Sequence, residues 1–202
     1  MNNYPEYAEI NDKRYKINTD FRVAIECQNI ATDESISDYE RALAIICVLY
    51  EEKAIDDSLK DINICNKLLE IAMKYLGCGK EIEPSKNNEE PDMDFKQDMD
   101  YIEASFMSDY NIDLANTEMH WYKFYNLING LSNSELGNCC VLNRVRNLRT
   151  FDLSQIKDSK ERERLAKAKE MVALKNTKKE VELTKEQEES MNKLNEIIGF
   201  KK

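Results

Sequence analysis

The chain has little glycine, proline or histidine: 202 residues hold 5 Gly, 3 Pro and 1 His. Sandwiches, barrels and Rossmann-like sheets need Gly and Pro at their many turns. Their scarcity disfavours those folds and points to long helices. A single histidine, His120, excludes any two-histidine metal motif. No apolar run approaches the roughly 20 residues of a membrane-spanning helix, so no membrane association is expected. The opening stretch Met1-Asn2-Asn3-Tyr4-Pro5-Glu6 has neither a basic patch nor an apolar run, so no secretion signal is expected. The six cysteines (Cys27, Cys47, Cys65, Cys78, Cys139 and Cys140) then read as reduced cytosolic thiols rather than a disulfide framework. None of them forms a Cys-x-x-Cys pair, so neither a zinc site nor any other cofactor is expected. There is also no phosphate loop and no Gly-x-Ser-x-Gly, which leaves an enzyme reading without chemistry.

Charge and apolar residues are plentiful. Hydrophobic residues make up 42%, enough for a core, and 29 Lys+Arg face 39 Asp+Glu for a net charge of −10. An acidic balance argues against nucleic-acid binding, which needs clustered cations. The charge is unevenly spread. Residues 80–110 hold 3 Lys+Arg and 10 Asp+Glu, whereas residues 141–179 hold 12 and 5. That basic stretch spoils the uniform surface an acidic mimic would need. The two halves either attract each other within the fold or meet a charged partner, a second copy included.

The patterning predicts a mainly α-helical fold, a multi-helix bundle with a small N-terminal β-hairpin. Tyr7-Ala8-Glu9-Ile10 and Arg14-Tyr15-Lys16-Ile17 alternate around Asn11-Asp12-Lys13, which reads as the hairpin. Asp20 or Thr19 caps a helix from Phe21, and Ser35, Ser37 or Asp38 caps a second, with Tyr39, Ala42, Leu43, Ile46, Cys47 and Tyr50 as its stripe. Asp57 or Ser58 is expected to cap a third, carrying Ile62, Cys65, Leu69, Ala72, Met73 and Leu76 inward and ending at Gly77 and Gly79. These elements make an N-terminal part, residues 1–79. Residues 80–92, acidic and with two prolines, read as a linker. Residues 93–175 form a second helical part, packed on the first. It begins with a helix carrying Phe95, Met99, Ile102 and Phe106, whose acids Asp94, Asp98, Asp100 and Glu103 read as a solvated face. Thr117 is expected to cap an aromatic helix from Met119 that closes at Gly130. Apolar nearly all round, this helix is either central to the core or presents a second apolar face to a partner. His120 packs at its start. Asp158 or Ser159 opens a polar helix supported by Glu161–Arg164 and Glu163–Lys167. Residues 176–202 read as a polar spacer and a last amphipathic helix, with Thr184 and Gln187 as its capping box.

Several of these stretches resemble a known family. They are Tyr15-Lys16-Ile17-Asn18-Thr19-Asp20-Phe21-Arg22, Glu40-Arg41-Ala42-Leu43-Ala44-Ile45, Asp94-Phe95-Lys96-Gln97-Asp98, Ile102-Glu103-Ala104-Ser105-Phe106, Tyr110-Asn111-Ile112-Asp113-Leu114 and Met119-His120-Trp121-Tyr122-Lys123-Phe124. Arg144, Arg146, Arg149 and Lys157-Asp158 also fit. The chain is similar here to phage tail-assembly-chaperone-like proteins, encoded near the tape-measure gene in long-tailed phages of Gram-positive hosts. The likeness runs from about residue 7 to about 175. Where that family usually has Gly after the tyrosine, this chain has Asn111, which also tolerates left-handed backbone.

The resemblance implies a non-catalytic role in tail morphogenesis in the host bacterial cytoplasm. The partner it implies is the long helical tape-measure protein, bound before the tail tube polymerises; copies of the chain itself are a second candidate. A structural tail or head–tail component kept in the virion is the alternative. For a partner surface, the aromatic helix and the basic stretch nominate Trp121, Tyr122, Phe124 and Tyr125, with Arg144, Arg146 and Arg149 as a charged rim.

Overall fold

A computed structural model describes residues 4–80, 91–133 and 139–175. Apart from its ends, the linker expected over 80–92 lies outside them, as does the amphipathic tail. The described chain begins with strands β1 (Tyr7–Ile10) and β2 (Lys13–Lys16), paired antiparallel from Tyr7 opposite Lys16 to Ile10 opposite Lys13. Asn11 and Asp12 form the whole turn, both at positive φ (48° and 63°). Two such residues give the turn whose twist matches the strands, and Lys13 is therefore the first residue of β2 rather than part of the turn. One face of the hairpin, Ala8, Ile10 and Tyr15, is buried. A two-stranded hairpin needs such support.

Eight α-helices follow among the described residues: α1 (Phe21–Ala31), α2 (Asp38–Leu49), α3 (Glu52–Lys60), α4 (Ile62–Leu76), α5 (Met99–Tyr110), α6 (Trp121–Asn129), α7 (Val141–Thr150) and α8 (Ser159–Met171). Asp20 caps α1 by accepting from the Arg22 amide, Ser37 and Glu40 form a reciprocal capping box on α2, and Asp158 caps α8. Tyr39 and Cys47 of α2 and Ile62 and Met73 of α4, expected on the apolar stripes, are exposed, and three further expectations change. A helix not foreseen, α3, precedes α4; it buries only Ala54 and Ser58. The cap of α4 is Asp61, and Asp57 instead accepts from Lys13 Nζ and Tyr15 Oη, both at 2.9 Å, joining α3 to the hairpin. The cap of α6 is His120 rather than Thr117, whose hydroxyl donates to the Asp113 carbonyl and closes a short 3₁₀ turn at Leu114–Asn116.

The core runs from the hairpin through α1, α2 and α4 to α5 and α6, with Tyr15, Phe21, Phe106, Trp121 and Phe124 among its largest fully buried side chains. Asn111 ends α5 in the left-handed conformation (φ 53°, ψ 39°). Asn tolerates that geometry better than other non-glycine residues.

Candidate partner-binding site

Helix α6 is anchored by its own ends. The His120 Nδ1 accepts the Tyr122 amide at 3.1 Å, so the ring carries its proton on Nε2, 3.2 Å from the Pro5 carbonyl to which it donates. Burial holds the His120 pKa below its ordinary value, although the Pro5 bond and Glu6 pull the other way. Gly130 closes the helix. It lies so near Tyr110 that an added Cβ would sit 2.9 Å from the tyrosine oxygen.

The four aromatic residues of α6 divide. Trp121 and Phe124 are 0% exposed. The Trp121 indole N–H donates to the Leu76 carbonyl at 3.1 Å, which ties α6 to the end of α4. Phe124 is stacked between Phe21 (centroids 4.4 Å) and Phe106 (5.2 Å). Both side chains are core, which corrects their nomination as partner surface: helical period places them on the face that α1 and α5 cover. Tyr122 and Tyr125 are half-buried. Tyr122 packs on Tyr4 and Tyr75, and Tyr125 lies between Trp121 and Lys80, whose ammonium is 5.4 Å from the ring centre. Lys123, Asn126 and Asn129 are exposed, so the helix has a polar face and is not apolar all round.

The three arginines of α7 divide as well. Arg149 is 6% exposed and makes two hydrogen bonds (2.6 and 2.7 Å) to Asp98, which is 0% exposed. Its remaining donors reach the carbonyls of Val172 and Asp92. Arg146 pairs with Asp92 at 2.8 Å. Asp98, expected on a solvated acidic face, is thus the buried counter-charge of Arg149. Neither Arg146 nor Arg149 is a free rim residue, because each is spent on holding residues 92–98 against α7. Arg144 differs. It is exposed and lines an open cavity of about 640 Å³ between α5 and the start of α7. Among the described residues, no hydrogen bond, ion pair or ring contact joins the three arginines to the four aromatics. The nominated surface is therefore two separate places, the Tyr122–Tyr125 edge of α6 and the Arg144 end of α7.

Sequence reasoning missed two further devices. Arg22, stacked on Phe21, donates to the carbonyls of Leu114, Ala115 and Thr117 and to the Asp20 carboxylate. It fastens α1 to the turn before α6. Ser105 Oγ, fully buried, accepts the Leu142 amide at 3.0 Å and so seats the first turn of α7 on α5. A small polar residue directly before Phe106 was the only sign of it.

Fold and site together define a mainly helical protein with a half-buried tyrosine edge on α6 and, apart from it, an open groove beside Arg144. The chain belongs to the family described as Bacteriophage Gp15 protein, which it matches over residues 1–174. This places it among phage structural or morphogenesis proteins. No curated protein and no solved structure matches it. No helix among the described residues is long and apolar enough to cross a membrane.

Proposed function

We propose that this chain is a non-catalytic tail-assembly chaperone that binds the phage tape-measure protein during tail morphogenesis in the host cytoplasm. Membership of a phage family and the resemblance in the stretches through Tyr110–Leu114 and Met119–Phe124 support this reading. The observation that carries it is an open groove between α5 and the start of α7 beside the exposed Arg144, with the half-buried tyrosines of α6 as a second accessible place. A long, apolar-striped helical chain would aggregate unless covered, and an open groove between helices is the usual way to receive an amphipathic helix. Tyrosine and arginine are common energetic anchors of such contacts.

Co-expression with the tape-measure protein of the same phage genome tests the reading. A chaperone renders that protein soluble and co-purifies with it, and Tyr125→Ala weakens recovery while leaving the circular dichroism melt unchanged. Trp121→Ala is not a usable probe, because it empties the core. A structural tail component would instead be found in purified virions at fixed copy number, which mass spectrometry of particles decides. An insoluble tape-measure protein that never co-purifies refutes the chaperone reading.

A further inference from the structure

The sequence holds eight arginines, and within the structure seven of them are bound. Arg14 pairs with Glu9, Arg41 with Asp38, Arg164 with Glu161, Arg146 with Asp92 and Arg149 with Asp98. Arg22 and Arg162 grip backbone carbonyls. Arg144 alone has no hydrogen bond or ion pair among the described residues. It stands on the first turns of α7, over the cavity whose walls include Ala104 and Ser108 of α5, Gly130 at the end of α6, and Val141. Asp109, also on the wall, has its carboxylate engaged by the Ser132 amide (2.7 Å) and the Ser108 hydroxyl (3.0 Å). Those bonds hold its pKa below the usual carboxylate range, the Ser132 amide contributing most. It stays charged and repels an anion placed on its side, so only the Arg144 end of the cavity suits a negative group.

Resting on the chaperone reading, we propose that this α5–α7 groove receives a segment of the tape-measure protein that presents an aspartate or glutamate to Arg144. Charge complementarity argues for that occupant. The other seven arginines are committed internally, whereas Arg144 has no hydrogen bond or ion pair among the described residues, so its guanidinium beside the groove selects for a carboxylate. Guanidinium and carboxylate match as two-point hydrogen-bond partners, which fixes the orientation of the incoming segment as well as its charge. A second copy of this chain, also rich in exposed carboxylates, is the competing occupant that the test separates.

The test is a binding titration of the full chain against the tape-measure protein recovered from co-expression, at low and high salt. Arg144→Glu is expected to weaken binding about tenfold or more, with Arg144→Lys intermediate because it keeps the charge and loses the fork. Ala104→Trp, on an exposed helix position, should weaken binding similarly by filling the groove. Added salt should weaken the wild-type complex and not the Arg144→Glu one, in which screening relieves a repulsion between two carboxylates. If the wild-type complex forms, Tyr125→Ala weakens it and both groove variants leave it unchanged, the groove assignment is wrong while the chaperone reading stands. If the groove variants instead abolish self-association in sedimentation and spare the tape-measure complex, the occupant is a second copy and the assignment is likewise overturned. If wild type forms no complex at all, the chaperone reading falls and takes this one with it.

Discussion

The Arg149–Asp98 pair offers a sharp test of the physical account. Both side chains are almost wholly out of water, and they meet through two short hydrogen bonds. Taking two charges out of water is costly, and their attraction repays it only because the geometry is two-pronged and the other donors of Arg149 reach Val172 and Asp92 carbonyls. Arg149→Met therefore leaves Asp98 buried and uncompensated, and Asp98→Leu does the same to Arg149. Each should cost about 3–5 kcal/mol. For a chain of this size a kcal/mol moves the melting midpoint by about 2–4 °C, so each single variant should melt roughly 6–20 °C lower. The double variant removes both charges at once. It keeps only the loss of the carbonyl bonds and of the Asp94 amide that Asp98 accepts at 3.0 Å. At roughly 1 kcal/mol for each such bond, it should cost about 2–3 kcal/mol, well below the sum of the singles. Chemical denaturation of the four proteins of this cycle measures the coupling directly. If the two single losses simply add, within about 0.5 kcal/mol, the pair does not act as a buried unit and the reasoning is refuted.

Three further outcomes follow from the same geometry. Since neutral His120 caps α6 and burial lowers its pKa in the folded state, its contribution is complete above the unfolded value of about 6.5 and is lost as pH falls through the lower folded value. His120→Asn keeps a cap acceptor without titrating, so melting midpoints from pH 7.5 to 5.5 should fall more in wild type than in the variant; parallel curves would contradict this. Gly130→Ala brings a methyl 2.9 Å from the Tyr110 oxygen and displaces its bond to the Leu127 carbonyl; it should cost about 1–2 kcal/mol, and less in a Tyr110→Phe background, as urea titrations would read. Thiol labelling of the native protein should modify exposed Cys47 quickly and spare Cys27, buried and with its thiol pushed up to about 12 by burial and by Glu26; equal rates would mean that α1 opens readily.

What the sequence made legible was local. The hairpin showed because Asn11 and Asp12 are adjacent residues that accept positive φ between two alternating runs. The starts at Asp20, Ser37 and Asp158 and the stop at Gly130 showed because a cap and its first turn are neighbours in the chain. Helix α3 did not show: it buries only Ala54 and Ser58, no side chain caps it, and tertiary packing against α4 rather than its own stripe holds it. The exchange of Thr117 for His120 at the cap of α6 was hidden for a related reason. Thr117 is a better cap by type, but its hydroxyl was already claimed by the Asp113 carbonyl. The site was half legible. An aromatic run at helical spacing announces a buried stripe, yet which ring faces outward depends on where α1 and α5 lie, and no local signal carries that.

Charge is where local reading misled most, and the reason bears on function. On a helix wheel, Asp98 is one of several acids and Arg149 one of several bases, and nothing in either stretch marks them as a pair. Only the packing of α7 on α5 brings them together, 51 residues apart, and drives the water out. The opposite charges of residues 80–110 and 141–179 are therefore partly spent inside the fold, through Arg149 with Asp98 and Arg146 with Asp92, as well as among neighbours on α8 itself. Arg144, Lys157, Lys160, Arg162, Arg164, Lys167 and Lys175 remain exposed. The two buried or half-buried pairs are therefore fold contacts, and a partner meets the cations that stay exposed. One guanidinium beside an open groove then carries more information about a partner than the twelve basic residues of its segment.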